Sequence, residues 1–159
     1  MADFLSRWNI PERYGQLKKR LKDMGDGTYA EVVAASVPAV ATGGATLYKN
    51  IDVDESEDQV SAVACTLYTL HAMNMKATVL YLKLYNATAA DVTVGTTVPV
   101  ATYALPTPGS TNGQGFCLSF GTQGAAFTTA LTIACTTGVA DNDTGAPGAN
   151  ECIVNLTYK

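Results

Sequence analysis

Charge is scarce in this sequence, and so are the residues that do chemistry with it. Only 15% of the 159 residues are charged, against about 25% in an ordinary soluble domain. There is one histidine, His71, and one tryptophan, Trp8. General acid–base catalysis most often uses histidine, and no nucleophile motif accompanies His71, which stands at the end of a strand-like run. No phosphate loop, dinucleotide fingerprint, H-E-x-x-H or G-x-S-x-G occurs. The four cysteines, Cys65, Cys117, Cys135 and Cys152, are far apart, whereas zinc ligands usually come in close pairs. They read as small buried hydrophobes, with two disulfides as the lesser alternative in an oxidising medium. Thr, Gly, Lys or Asn interrupts every apolar stretch before it could span a bilayer. The first residues lack a basic n-region and an apolar h-region, so synthesis and first folding in a cytoplasm are expected. The expectation is a non-enzyme with no cofactor, no metal and no membrane contact.

The charge that is present is unevenly placed. Residues 1–25 hold six basic and three acidic residues, a net +3, and the remainder holds four basic and eleven acidic, a net −7. An acidic body excludes a broad nucleic-acid footprint, because phosphate binding requires a basic face. The densest acidic run, 52–58, offers Asp52, Asp54, Glu57 and Asp58 as oxygen ligands for calcium. It lacks the glycine and terminal glutamate of an EF-hand loop, so a solvated turn is the plainer reading. Asp141-Asn-Asp143 likewise reads as a hydrogen-bonded turn before a metal loop.

What is abundant is Thr, Ala, Gly and Val, which favours strands and turns. One stretch departs from that. Residues 11–24 begin with Pro11, place Tyr14, Leu17, Leu21 and Met24 at helical spacing, and are followed by Gly25, predicting an amphipathic helix. Asp26-Gly27 then predicts a turn leading into a short strand, and the Pro/Ala/Thr/Gly-rich segment 36–45 a linker. The chain thus divides into an arm (1–35), a linker (36–45) and a body (46–159).

The body alternates strand and turn, with strands predicted over 46–53, 59–71, 77–86, 98–105, 115–120, 129–136 and 150–158. The clearest alternation puts Leu80, Leu82 and Leu84 on one face and Tyr81, Lys83 and Tyr85 on the other, the tyrosines reading as cross-strand packing partners ahead of an exposed interface. Loops are expected at 106–115 and 141–150. This spacing predicts a mainly β chain, an antiparallel β-sandwich of the jelly-roll kind, carrying an N-terminal helical arm.

Residues 23–34, Asp-Met-Gly-Asp-Gly-Thr-Tyr-Ala-Glu-Val-Val-Ala, resemble a segment near the start of phage virion proteins. Segments 80–88, 94–99, 131–138 and 154–159 resemble the body of small phage and prophage jelly-roll proteins. Residues 1–22 depart from that pattern and look like an added arm. The resemblance implies a capsid decoration, or cement, protein on the virion surface, a homotrimer seated on the lattice of the major capsid protein. On that reading Phe4, Trp8, Tyr14, Leu17, Leu21 and Met24 dock to the shell or to a neighbouring copy. The alternative is that the helix stripe covers its own sandwich. Two other functions fit the same strands: a tail-associated or fibre-tip protein using loops 106–115 and 141–150 on a host surface, and a polysaccharide hydrolase with paired carboxylates.

Overall fold

The structure, a computed structural model, describes residues 20–23, 29–32, 44–109 and 113–159. Contacts divide the chain into two compact units, 1–42 and 43–159. In the first, β1 (Arg20–Asp23) and β2 (Tyr29–Val32) form an antiparallel ribbon, with Leu21 opposite Glu31. This corrects the helix predicted over 11–24: its residues 20–23 are extended. β1 and β2 are close enough in sequence to pair, and interstrand hydrogen bonds then satisfy backbone groups a helix would have used. Residues 11–19 and 24 lie outside the described residues.

The second unit holds nine strands: β3 (Thr46–Asn50), β4 (Asp58–Ser61), β5 (Cys65–Asn74), β6 (Leu80–Tyr85), β7 (Ala101–Leu105), β8 (Gln114–Ser119), β9 (Ala125–Phe127), β10 (Leu131–Thr136) and β11 (Cys152–Tyr158). They make two antiparallel sheets, ordered β4-β10-β6-β7 and β3-β11-β5-β8, with β9 also paired to β5. A single 3-10 turn, Ala89–Asp91, is the only helical element among the described residues. The protein is therefore mainly β.

Alternation sends one side chain in two toward a core the two sheets share. From one sheet come Leu80, Leu82, Leu84, Leu131, Ile133, Cys135 and Leu105, and from the other Leu67, Leu70, Ala72, Cys152, Val154 and Leu156. All are at most 1% exposed. Burying a leucine side chain contributes about 1.5–3 kcal/mol, so these residues supply most of the drive to fold.

The run predicted as one strand over 59–71 is two strands in different sheets. Ser61 turns the chain between them: its hydroxyl donates to the Val63 carbonyl (2.8 Å) and accepts from the Val63 N–H. Within β5 the alternation slips. Leu67 and Leu70 both face the core, with Tyr68 and Thr69 half-buried between them. The β11 register shows the cause: Thr157 pairs with Thr69 but Tyr158 with Leu67, leaving Tyr68 as the extra residue of a bulge. On β5's other edge β8 pairs with Thr69–Asn74 and β9 with Cys65–Leu67, while the Phe120 N–H donates to the Tyr68 carbonyl between them. The short strand β9 escaped prediction. Gly124 makes its approach feasible, with φ at +67° and no room for a Cβ against Thr66.

Leu82→Ala should destabilise the protein by about 2–5 kcal/mol in urea unfolding, whereas Val98→Ala, at an exposed position, should change stability by less than about 0.5 kcal/mol.

Candidate functional site

Antiparallel pairing sends alternate connections to opposite ends of the body. The connections β3–β4, β5–β6, β7–β8 and β10–β11 therefore lie at one end, the end that carries the described residues of both predicted loops, 106–115 and 141–150. Backbone and side-chain bonds tie the group together. Met75 N–H donates to the Glu151 carbonyl (2.8 Å), Val53 N–H to the Cys152 carbonyl (3.0 Å), and Cys135 N–H to the Asp54 carbonyl (2.6 Å). Asn74, fully buried, donates through Nδ2 to the carbonyls of Thr78, Leu105 and Pro106. The body's first residues lie at the other end, where Thr46 pairs with Tyr158.

This loop end is acidic. Of the nine acidic residues in 44–159, all but Asp91 lie on it. Each well-placed carboxylate of the run 52–58 is engaged in holding the loops. Asp52 accepts from the Asn150 N–H (2.6 Å), Asp54 from the Ser56 N–H (2.9 Å), Glu57 from the Val94 N–H (3.0 Å), and Asp58 from Asn50 Nδ2 (2.8 Å). Burial, then the neighbouring charges of Asp54 and Asp52, pushes the Asp58 carboxyl above its ordinary range. The partners of these acids lie in different directions, and among the described residues no group of three or more acidic, His or Cys side chains is placed to hold a metal ion.

Loop 137–151 has its own internal frame. Asp143 Oδ1 accepts from the N–H groups of Gly138 (2.9 Å) and Gly145 (3.0 Å), folding the loop around one carboxylate. Beneath it, Lys83 is completely buried and donates through Nζ to the carbonyls of Ala140 (2.8 Å), Asp143 (3.1 Å) and Asp141 (3.4 Å). Burial lowers the Lys83 ammonium's pKa, opposed by the charges of Asp143 and Asp141. Glu151 accepts from Lys76 Nζ (2.6 Å) and the Gly148 N–H (2.5 Å), and both contacts hold its carboxyl below the usual range.

The face carrying Tyr81, Lys83 and Tyr85 is mostly covered. Lys83 and Tyr85 are at most 1% exposed, and Val92, Val94 and Ala87 pack with Tyr85 and Ala134 over the sheet. Every residue of β10 is buried as a result. Tyr85 Oη is buried without a hydrogen-bond partner, and burial, reinforced by Glu57 and Asp141, pushes its pKa up to about 12.

The five-stranded sheet is different. On its face away from the core, Lys49, Asn155, His71 and Cys117 stand directly across from one another, and Leu47, Thr157, Thr69 and Ser119 form the next row. Leu47 is 79% exposed, and Thr69 and Thr157 share a hydroxyl–hydroxyl bond of 2.6 Å. This face is half-exposed and free of carboxylates. His71 belongs to it, with the free, exposed Cys117 directly across from it on β8. At the edge between β7 and β9, an apolar pocket of about 250 Å³ is lined by Leu84, Val100, Tyr103, Phe120 and Phe127.

Of the residues expected to dock, Phe4, Trp8, Tyr14, Leu17 and Met24 lie outside the described residues, and Leu21 is in β1. The acidic loop end and the open sheet face were not singled out from sequence. Strand alternation carries the second, but only once the strand order says which faces are covered.

Lys83→Met leaves three carbonyls without their donor and should cost about 1–3 kcal/mol in denaturant unfolding. Glu151 contributes stability that is present above its ordinary pKa of 4.5 and lost as pH falls through its lower folded value. Glu151→Gln should therefore be less stable than the parent by under about 1 kcal/mol at pH 7, and thermal melts should show the gap closing as the pH drops below about 4.

Comparison of the chain with protein families, with curated proteins and with solved structures finds no match.

Proposed function

We propose that the protein is a structural component of a phage virion, a jelly-roll decoration protein that stabilises the capsid by binding the lattice of the major capsid protein. The strand order carries this reading. Setting aside the short β9, the eight strands β3 to β8, β10 and β11 pair first with last, second with seventh, third with sixth and fourth with fifth. That nesting supports the jelly-roll reading, a long hairpin wrapped into a β-sandwich, an architecture used by viral capsid domains. Such a protein works by mass action: binding the assembled shell and not its dissociated subunits stabilises the shell without chemistry. A homotrimer would repeat each contact and raise avidity. The arm residues Phe4, Trp8, Tyr14, Leu17, Leu21 and Met24 are the proposed anchors, because Trp and Tyr are favoured at the centres of interfaces.

One observation favours a second reading, a tail-associated or fibre-tip protein. Four loops gathered at one end, held by hydrogen bonds among themselves, make a preformed surface of the kind that contacts a host receptor.

Gold-labelled antibody against the chain, applied to intact virions and viewed by electron microscopy, separates the two. Decoration predicts label over the whole head. Label confined to the tail overturns it in favour of the second reading, and the absence of label from purified particles contradicts both.

A further inference from the structure

Cys135 and Cys152 belong to different sheets, and they meet. Both are fully buried in the shared core. Cys135 follows Ile133 on the inward face of β10, and Cys152 opens the inward series of β11 with Val154 and Leu156. Their backbones are bonded to two consecutive residues, Cys152 to Val53 and Cys135 to Asp54. Cys135 is the neighbouring group that acts most strongly on the Cys152 thiol, and all four cysteines are free. Cys65 starts β5 beside Ser61, and Cys117 is exposed on the open face of the five-stranded sheet.

We infer that Cys135 and Cys152 are a dithiol pair that closes to a disulfide joining the two sheets when the chain folds or opens transiently in an oxidising medium. The inference is independent of the virion reading. The oxidant is a low-molecular-weight disulfide such as oxidised glutathione. The thiolate of one cysteine attacks it, forming a mixed disulfide and releasing one glutathione thiol. The second cysteine's thiolate then attacks the protein sulfur of the mixed disulfide and releases the second glutathione thiol. Two protein thiols are oxidised, one glutathione disulfide is reduced, and the protons lost by the protein thiols are taken up by the departing thiolates. In the closed native state the pair is inert: the neighbouring Cys135 side chain, then burial, raises the Cys152 thiol far above its ordinary pKa, and no bulky disulfide reaches it. The cross-link closes a loop between positions seventeen apart, which restricts the unfolded chain.

The test is to refold the full chain with a reduced/oxidised glutathione couple, alkylate it in denaturant without reductant, and map the peptides by mass spectrometry. The expected result is two alkylated thiols, Cys65 and Cys117, a Cys135–Cys152 cross-linked peptide, and a Tm about 10 °C above that of the reduced protein. Cys65→Ser with Cys117→Ser should give the same cross-link, and Cys135→Ala should leave Cys152 alkylated. Alkylation of all four thiols in the folded product, a main cross-link through Cys65 or Cys117, or a lower Tm in the oxidised form would overturn the inference.

Discussion

A lysine with no exposed surface is costly, because an ammonium taken out of water loses several kcal/mol of hydration. Lys83 stays buried because three carbonyls of one loop converge on its Nζ. That contact is what allows the four-stranded sheet to be covered on both faces. With loop 137–151 fixed over Lys83, and Val92 and Val94 fixed over Tyr85, β10 becomes a strand buried at every residue. Its outward threonines are satisfied locally: Thr132 donates to the Ala87 carbonyl (2.7 Å) and Thr136 to the Gly138 carbonyl (2.9 Å). The sheet with the most buried strand is thus held from above by polar bonds and from below by leucines.

The consequence for function is asymmetry. One sheet is sealed by its own loops, while the other keeps a half-exposed, carboxylate-free face. One end of the body gathers nearly all the negative charge, and the other end receives the chain from the arm. Long-range repulsion keeps an acidic end soluble and turns away acidic surfaces. The carboxylates there are chiefly structural acceptors, so the acidity of this end is partly a by-product of how its loops are held.

Much of the body was legible because its strands alternate cleanly. Leu80, Leu82 and Leu84, then Leu131, Ile133 and Cys135, then Cys152, Val154 and Leu156 all point inward as their spacing indicates. The acidic run 52–58, expected as a solvated turn, uses Asp52 and Glu57 to accept from the distant Asn150 and Val94 amides. Periodicity failed where the physics is non-local. The bulge at Tyr68 breaks the alternation of β5, and the corner at Ser61 splits a continuous apolar run between two sheets. Lys83 looks like a solvent-facing residue because its compensation comes from carbonyls about sixty positions away. Residues 20–23 have a helix-compatible spacing, yet they pair with a strand a few residues further along the chain. The gathering of four loops at one end depends on strand order, which no local pattern encodes.

The central claim is that Lys83 locks loop 137–151 onto the sheet, and amide hydrogen exchange on the intact protein tests it most directly. The account predicts that the bonded amides of this loop, Thr137, Gly138, Asp143 and Gly145, exchange on the slow timescale of the β6 and β10 amides. Exchange of those four amides as fast as that of the exposed residues near Thr107 and Gly109 would contradict it, and would return Lys83 and its sheet face to solvent.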